Sequence, residues 1–151
     1  MAGIIAEYNP FHRGHRWQIQ TLRRLLGADA AVVAVMSGNF VQRGDFAVLE
    51  KRARAECALL GGADLVLELP SPWSAATAER FAQGGVALLA ATGVVTHLAF
   101  GCETGDLGPL AAAARCLENP GWEEAAPRPK AGGGSVAPPP AGAGRGRAGG
   151  G

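Results

Sequence analysis

Tyrosine occurs once in this sequence, methionine twice and cysteine three times, and only 18% of the residues are charged. Each scarcity excludes something. Cys57, Cys102 and Cys116 are widely spaced, with no CxxC pair and no close histidine. That pattern suits neither a zinc site nor an even disulfide framework, and a reducing compartment is the simplest setting. No apolar run approaches the roughly 18 residues that a spanning helix needs. Residues 1–8 also lack the basic start and apolar core of a signal peptide. The expectation is a soluble, cytoplasmic protein with no membrane partner. A formal net charge of +1 gives no whole-chain case for binding nucleic acid by bulk electrostatics.

What is present divides into two regions. Within 151 residues, 48% hydrophobic, there is material for one small domain with a core. The last 25 residues, Pro127 to Gly151, hold 9 Gly, 5 Pro and 5 Ala, with Val136 the sole β-branched side chain. Such a segment buries too little apolar area to offset its ordering entropy and is expected to be disordered. It carries Arg128, Lys130, Arg145 and Arg147 and no acid, which leaves residues 1–126 with a formal charge of −3. The Gly-Arg-Gly-Arg stretch fits an RNA-touching tail. The reading the composition favours is a flexible end, or GC-rich codons read out of frame. The folded domain is expected over 1–119, followed by a low-complexity tail, 120–151.

Within that domain, short apolar runs alternate with helical patterns. Strands are predicted at Ala2–Glu7, Ala30–Met36, Asp64–Leu69 and Thr96–Phe100. Ile19, Leu22, Leu25 and Leu26 recur at helical spacing before Gly27, and Leu49, Ala53, Cys57 and Leu60 share a helical face before Gly61-Gly62. Further helices are predicted over about 75–91, weakened in the middle by Gly84-Gly85, and over 107–117. Four strands alternating with helices give an α/β fold, a Rossmann-like doubly wound parallel sheet. In such a sheet ligands bind beyond the carboxyl ends of the strands. The unusual polar clusters all fall there: Tyr8–His15, Ser37–Asp45, Pro70–Ser74 and Gly101–Asp106.

The first cluster carries the chemistry. Tyr8-Asn-Pro-Phe-His-Arg-Gly-His15 joins strand one to helix one and holds two of the three histidines. Gly14 lets backbone approach a ligand, the helix N-terminus offers unpaired N–H groups, and His12 and His15 can aim imidazole donors at phosphate oxygens. Pro10 stiffens the turn. Neither the GxGxxG fingerprint nor GxxxxGK[ST] is present in this turn. Zinc is not expected, because no third ligand and no HExxH spacing accompany the pair. Nucleotide-phosphate binding is the reading these residues favour.

HxGH at the end of strand one resembles the signature of the nucleotidyltransferase superfamily, whose members attack the α-phosphate of ATP and release pyrophosphate. In such an enzyme the histidines stabilise charge gathering on the phosphates, and losing one donor of this kind costs about 3 kcal/mol of barrier by analogy with oxyanion holes. GIIAEYNPFHRGH (3–15), VAVMSGNFVQRGD (33–45), ADLVLELP (63–70) and FGCETGD (100–106) appear in that order. Together they resemble the bacterial tRNA(Met) cytidine acetate ligase family over nearly all of residues 1–117.

The resemblance implies ATP-dependent activation of acetate to acetyl-adenylate, then transfer to N4 of the wobble cytidine of elongator tRNA(Met). ATP is then a substrate, with Mg²⁺ accompanying it, and acetate and that tRNA are partners. The ATP segment carries over onto Ile5, Ala6, Glu7, Tyr8, Asn9, Pro10, Phe11, His12, Arg13, Gly14, His15, Arg16, Trp17 and Gln18, with His12 and His15 as the catalytic pair. Gly101 matches the place where backbone approaches the nucleotide, and a side chain there is expected to crowd the crevice.

Ser37, Gly38, Asn39 and Arg43 form a candidate acetate or phosphate loop, against the alternative of a turn with local Ser/Asn hydrogen bonds and a solvated arginine. Glu7 is placed to reach Mg²⁺, to orient a histidine or to cap its strand. Trp17 and Trp73 read as packing residues, and His97 as structural. Family members are substantially longer, with further nucleotide contacts after strand four and a helical tRNA platform that Asn119 and the tail arginines do not match. Three readings stay open: the ligase itself, a fragment with residual ATP affinity, or another adenylyltransferase of the superfamily. The SGNFVQRG segment argues against the last.

Overall fold

A computed structural model describes residues 1–102 and 105–118. The expected low-complexity tail, 120–151, lies outside the described residues. The described residues up to Gly105 form one unit and those from Asp106 to Glu118 another.

The first unit is a four-stranded parallel sheet in the order β3-β2-β1-β4: β1 is Ala2–Ala6, β2 Val32–Ser37, β3 Leu65–Leu69 and β4 His97–Ala99. The central strands are apolar on both faces because helices cover both. Ile4, Val32, Ala34 and Met36 pack with Ile19 of α1 (Arg13–Leu26) and Ala58 of α2 (Lys51–Leu60). On the opposite face Val33, Val35 and Leu69 pack with Phe81 and Leu89 of α4 (Ala78–Ala91). The Rossmann-like reading therefore holds. The chain moves from β1 through β2 to β3, then returns to add β4 on the far side of β1. This puts the topological switch between β1 and β4, where such sheets bind ligands.

Four expectations change in detail. The helix predicted over 75–91 starts at Ala78, and a separate single turn, α3 (Ser71–Ser74), precedes it. Gly84-Gly85 are packing contacts rather than weak points. A Cβ at Gly84 would lie 2.7 Å from the Trp73 ring, and one at Gly85 2.7 Å from Ile5. Trp17, read as packing, is 63% exposed on α1, whereas Trp73 does pack, over Gly84. The predicted apolar face of α2 points outward: Leu49 and Leu60 are exposed, as is Cys57. The inward positions are Arg54 and Ala58, because the guanidinium of Arg54 has backbone acceptors waiting beneath it. In the second unit α5 spans Leu107–Leu117, and the Asp106 carboxylate accepts from the Gly108 N–H at its start, 2.8 Å away.

Candidate nucleotide-phosphate site

The turn after β1 is built around a buried ring. Tyr8 is 1% exposed and adopts φ +48°, a left-handed conformation uncommon for such a bulky side chain. Its ring meets Phe11 edge-on at 5.0 Å and His15 at 4.8 Å. Phe11 in turn lies against Gly61 at the end of α2, where no side chain would fit. The turn is thus pinned to the core by aromatic contacts, and the histidines follow from where it ends.

His12 is the N-cap of α1 and His15 sits in its first turn. The bonds are reciprocal. His12 Nδ1 accepts from the Gly14 N–H at 3.1 Å, and His15 Nδ1 accepts from the His12 N–H at 3.2 Å. Two orphan donors of the helix start are satisfied in this way. The consequence for chemistry is a defined tautomer: with each Nδ1 acting as acceptor, the proton of each neutral ring is on Nε2. The two rings stack with centroids 3.7 Å apart at the N-terminal, positive end of α1. Burial lowers the pKa of His15, and the neighbouring His12 lowers it further.

Both histidines line an open cleft of about 510 Å³ together with Ile5, Ala6, Glu7, Tyr8, Asn9, Pro10, Gln18, Phe100 and Gly101. The cleft lies between the ends of β1 and β4, at the switch point. Of the residues expected at an ATP site, Phe11, Arg13, Gly14, Arg16 and Trp17 are not in its lining. Phe11 supports the turn from within, Gly14 donates to His12, and Arg13, Arg16 and Trp17 are exposed on α1. Gly101 does line the cleft, but a Cβ there would meet no protein atom within 4 Å, so protein packing is not what crowds it. Phe100, beside it, was not singled out in the sequence.

The candidate acetate loop is placed differently. Ser37 is fully buried at the end of β2, and its hydroxyl has no hydrogen-bond partner among the described residues. Gly38 is buried against the Glu68 carboxylate, which would have to shift to admit a side chain there. Asn39 serves the turn: its carbonyl accepts from the Ala47 N–H at 2.9 Å and its side chain from the Lys51 N–H at 3.3 Å. Arg43 is exposed at φ +67° in a single 3-10 turn, Gln42–Gly44, and its N–H donates to Ala76 O. None of the four lines the cleft. The link runs through Glu7, whose carboxylate accepts from the Gln42 N–H at 2.9 Å and so tethers the two loops. His97 is exposed, with Nδ1 2.8 Å from Thr96 Oγ1.

Arg54 was not legible as a functional residue. It is fully buried, and its guanidinium donates to three backbone carbonyls: Nη1 to Glu7 O at 2.6 Å, Nε to Leu49 O at 3.0 Å, and Nη2 to Gly38 O. Backbone acceptors carry no side-chain signature, so no spacing in the sequence announces them.

A parallel sheet covered by helices on both faces, with a histidine pair capping the first helix at the switch point, defines a Rossmann-like α/β protein. The chain belongs to the HIGH nucleotidyltransferase family, whose model, described as HIGH Nucleotidyl Transferase, matches residues 1–126. It is 54% identical over 108 residues to a tRNA(Met) cytidine acetate ligase of Syntrophomonas wolfei, covering 72% of this chain and 26% of that protein. Its identity to the Syntrophotalea carbinolica protein of the same name is 52% over 123 residues, covering 82% and 29%. The crystal structure of Thermotoga maritima TmcAL bound with alpha-thio ATP superposes with a TM-score of 0.72 at 49% identity, covering 77% of this chain and 28% of that one. The chain therefore spans under a third of the length of the relatives it matches.

Proposed function

We propose that this chain forms the ATP-phosphate-binding part of a tRNA(Met) cytidine acetate ligase, in which ATP activates acetate as acetyl-adenylate for transfer to N4 of the wobble cytidine. The observation that carries this reading is the His12–His15 pair: each Nδ1 is committed to the α1 backbone, which leaves both Nε2–H groups for phosphate oxygens at the cleft. Attack by an acetate oxygen on the α-phosphate would push charge onto the departing pyrophosphate. Two oriented donors and the helix N-terminus stabilise that charge, so these residues contribute positioning and electrostatics. A Mg²⁺ ion bound with the nucleotide would add charge neutralisation on the phosphates. Glu7 is the acid in the cleft lining; its Oε1 is held by Gln42, and its second oxygen suits a cation held mostly by phosphates.

Because the chain spans under a third of its relatives, nucleotide binding without transfer is the second reading, and the tRNA and acetate partners belong to the whole protein. Calorimetric titration of ATP into the chain and into a His12→Ala/His15→Ala double variant tests the site. Binding that weakens about tenfold or more in the variant supports it, since charge-assisted donors of this kind contribute about 1.5–3 kcal/mol each. Equal binding by both proteins, or none by the parent, overturns it. Little ATP-dependent acetylation of tRNA is expected from this chain alone, and robust turnover would show that nothing beyond it is required.

A further inference from the structure

We propose that Arg54 is a positioning residue for the phosphate-binding turn, setting the path of the backbone as it leaves β1 and β2 and, through Tyr8, the orientation of the histidine pair. The β1–β2 ladder ends at Ala6↔Met36, and beyond it the two chains separate, one into the turn of residues 8–12 and the other into the loop of residues 39–50. Glu7 and Gly38 lie just past that point, where their carbonyls have no strand partner in this ladder. The Arg54 guanidinium supplies the missing donors to both and anchors Leu49 O as well. One rigid fork on α2 therefore holds three chain segments at a fixed separation.

The cost of this arrangement argues for a purpose beyond packing. All three acceptors are backbone carbonyls, and among the described residues no carboxylate is hydrogen-bonded to the fully buried guanidinium; the charges of Glu7 and Glu68 favour its cationic form without offsetting its burial. A fold that needed only filled volume would be served as well by an apolar side chain. What an apolar side chain does not do is fix the Glu7 carbonyl, and the next residue is Tyr8, held at φ +48° with its ring against His15. A residue in that region persists only where its surroundings over-determine it. The path of contacts from Arg54 to Glu7 O, to the Tyr8 ring, to the His15 ring is continuous, and it ends on the cleft.

The proposal rests on the reading of the histidine pair as a phosphate site, and its test separates the two. Arg54→Lys keeps the charge but not the fork, and Arg54→Met removes both. Each is compared with the parent by thermal melting, by nitrogen-detected NMR of the imidazole tautomers without nucleotide, and by calorimetry with ATP. The expected result is a cooperative melt in at least one variant, with loss of the single Nε2–H tautomer at His15 and an ATP Kd weakened about tenfold or more, the scale typical of supporting residues. A folded variant with parental tautomers overturns the proposal. So does loss of cooperative melting in both variants, which would make Arg54 a determinant of the fold and nothing finer. If the parent binds no ATP while the tautomers respond as expected, the phosphate reading fails and the positioning role stands.

Discussion

The His15 imidazole accepts a hydrogen bond from the backbone N–H of His12 at 3.2 Å, through Nδ1. Protonating that ring puts a hydrogen where the acceptor lone pair was, so the cap and the charged imidazole exclude each other. Burial and then the neighbouring His12 hold the His15 pKa below its ordinary 6.5, which has the same sense. A histidine with a depressed folded pKa contributes stability that is complete above its unfolded pKa and is lost as pH falls through 6.5 toward the folded value.

The melting temperature of the chain is therefore expected to fall between about pH 7.5 and pH 5.5 more steeply than that of a His15→Gln variant. Carboxylate titrations contribute to both proteins, so the difference between the two curves isolates the histidine. Parallel curves would show that His15 protonation is not coupled to folding.

Tyr8 supplies a second titration, and a clean one because the chain has a single tyrosine. Its hydroxyl is buried without a hydrogen-bond partner among the described residues, and burial pushes its pKa up from 10.0 to about 12. A raised phenol pKa means stability lost as pH rises from 10.0 toward about 12. The phenolate absorbance is expected to appear together with unfolding rather than at the ordinary phenol pKa. Removing the orphan hydroxyl relieves a desolvation cost, so Tyr8→Phe is expected to be neutral or stabilising by about 1 kcal/mol. A loss of more than about 2 kcal/mol would mean that the hydroxyl has a partner, such as an ordered water.

Strand and helix order were legible because buried parallel strands read as apolar runs whatever their neighbours, and the HxGH turn was legible because two histidines around a glycine are rare. Leu60 shows where that reading stops. Helical spacing put it on the same face as Leu49 and Cys57, yet it is 79% exposed, since periodicity gives a face and not its direction. The inward direction of α2 was decided by Arg54, a residue that hydropathy assigns to solvent, and its acceptors are carbonyls that every sequence contains. Ser37 shows a different gap: a serine before Gly-Asn reads as the start of a loop, yet it is the last residue of β2, fully buried and outside the cleft lining.

Gly85 is expected to be intolerant of a methyl group, against its helix propensity. Alanine in a helix interior gains about 1 kcal/mol over glycine. At this position, however, the added Cβ would lie 2.7 to 2.9 Å from three side-chain atoms of Ile5, so the whole side chain must move. Overpacking of this kind costs about 1–3 kcal/mol, which outweighs the propensity gain. Because Ile5 also lines the cleft, its displacement alters the cleft floor. Gly85→Ala is expected to lower the melting temperature by about 4–8 °C and to weaken ATP binding. A raised melting temperature would show that α4 moves away from β1 at no cost.

Asp64 allows two contributions at one carboxylate to be separated. Its Oδ2 accepts from the Val32 N–H at 2.6 Å, where β2 begins, and from Arg23 Nη2 at 2.9 Å. The ion pair is partly exposed on both sides, with relative exposures of 29% and 46%, so solvent screening leaves it worth only about 0–1 kcal/mol. Arg23 moreover keeps its bonds to Ala28 O, Ala30 O and Gly62 O when Asp64 is changed. The bond to the Val32 N–H is charge-assisted and part-buried, and it contributes about 1.5–3 kcal/mol. Asp64→Asn retains an acceptor for Val32 and is expected to cost under about 1 kcal/mol, whereas Asp64→Ala is expected to cost about 2 kcal/mol. Urea denaturation of the two variants measures the difference. Equal losses would assign the stabilisation to the Arg23 charge pair instead of to the start of β2.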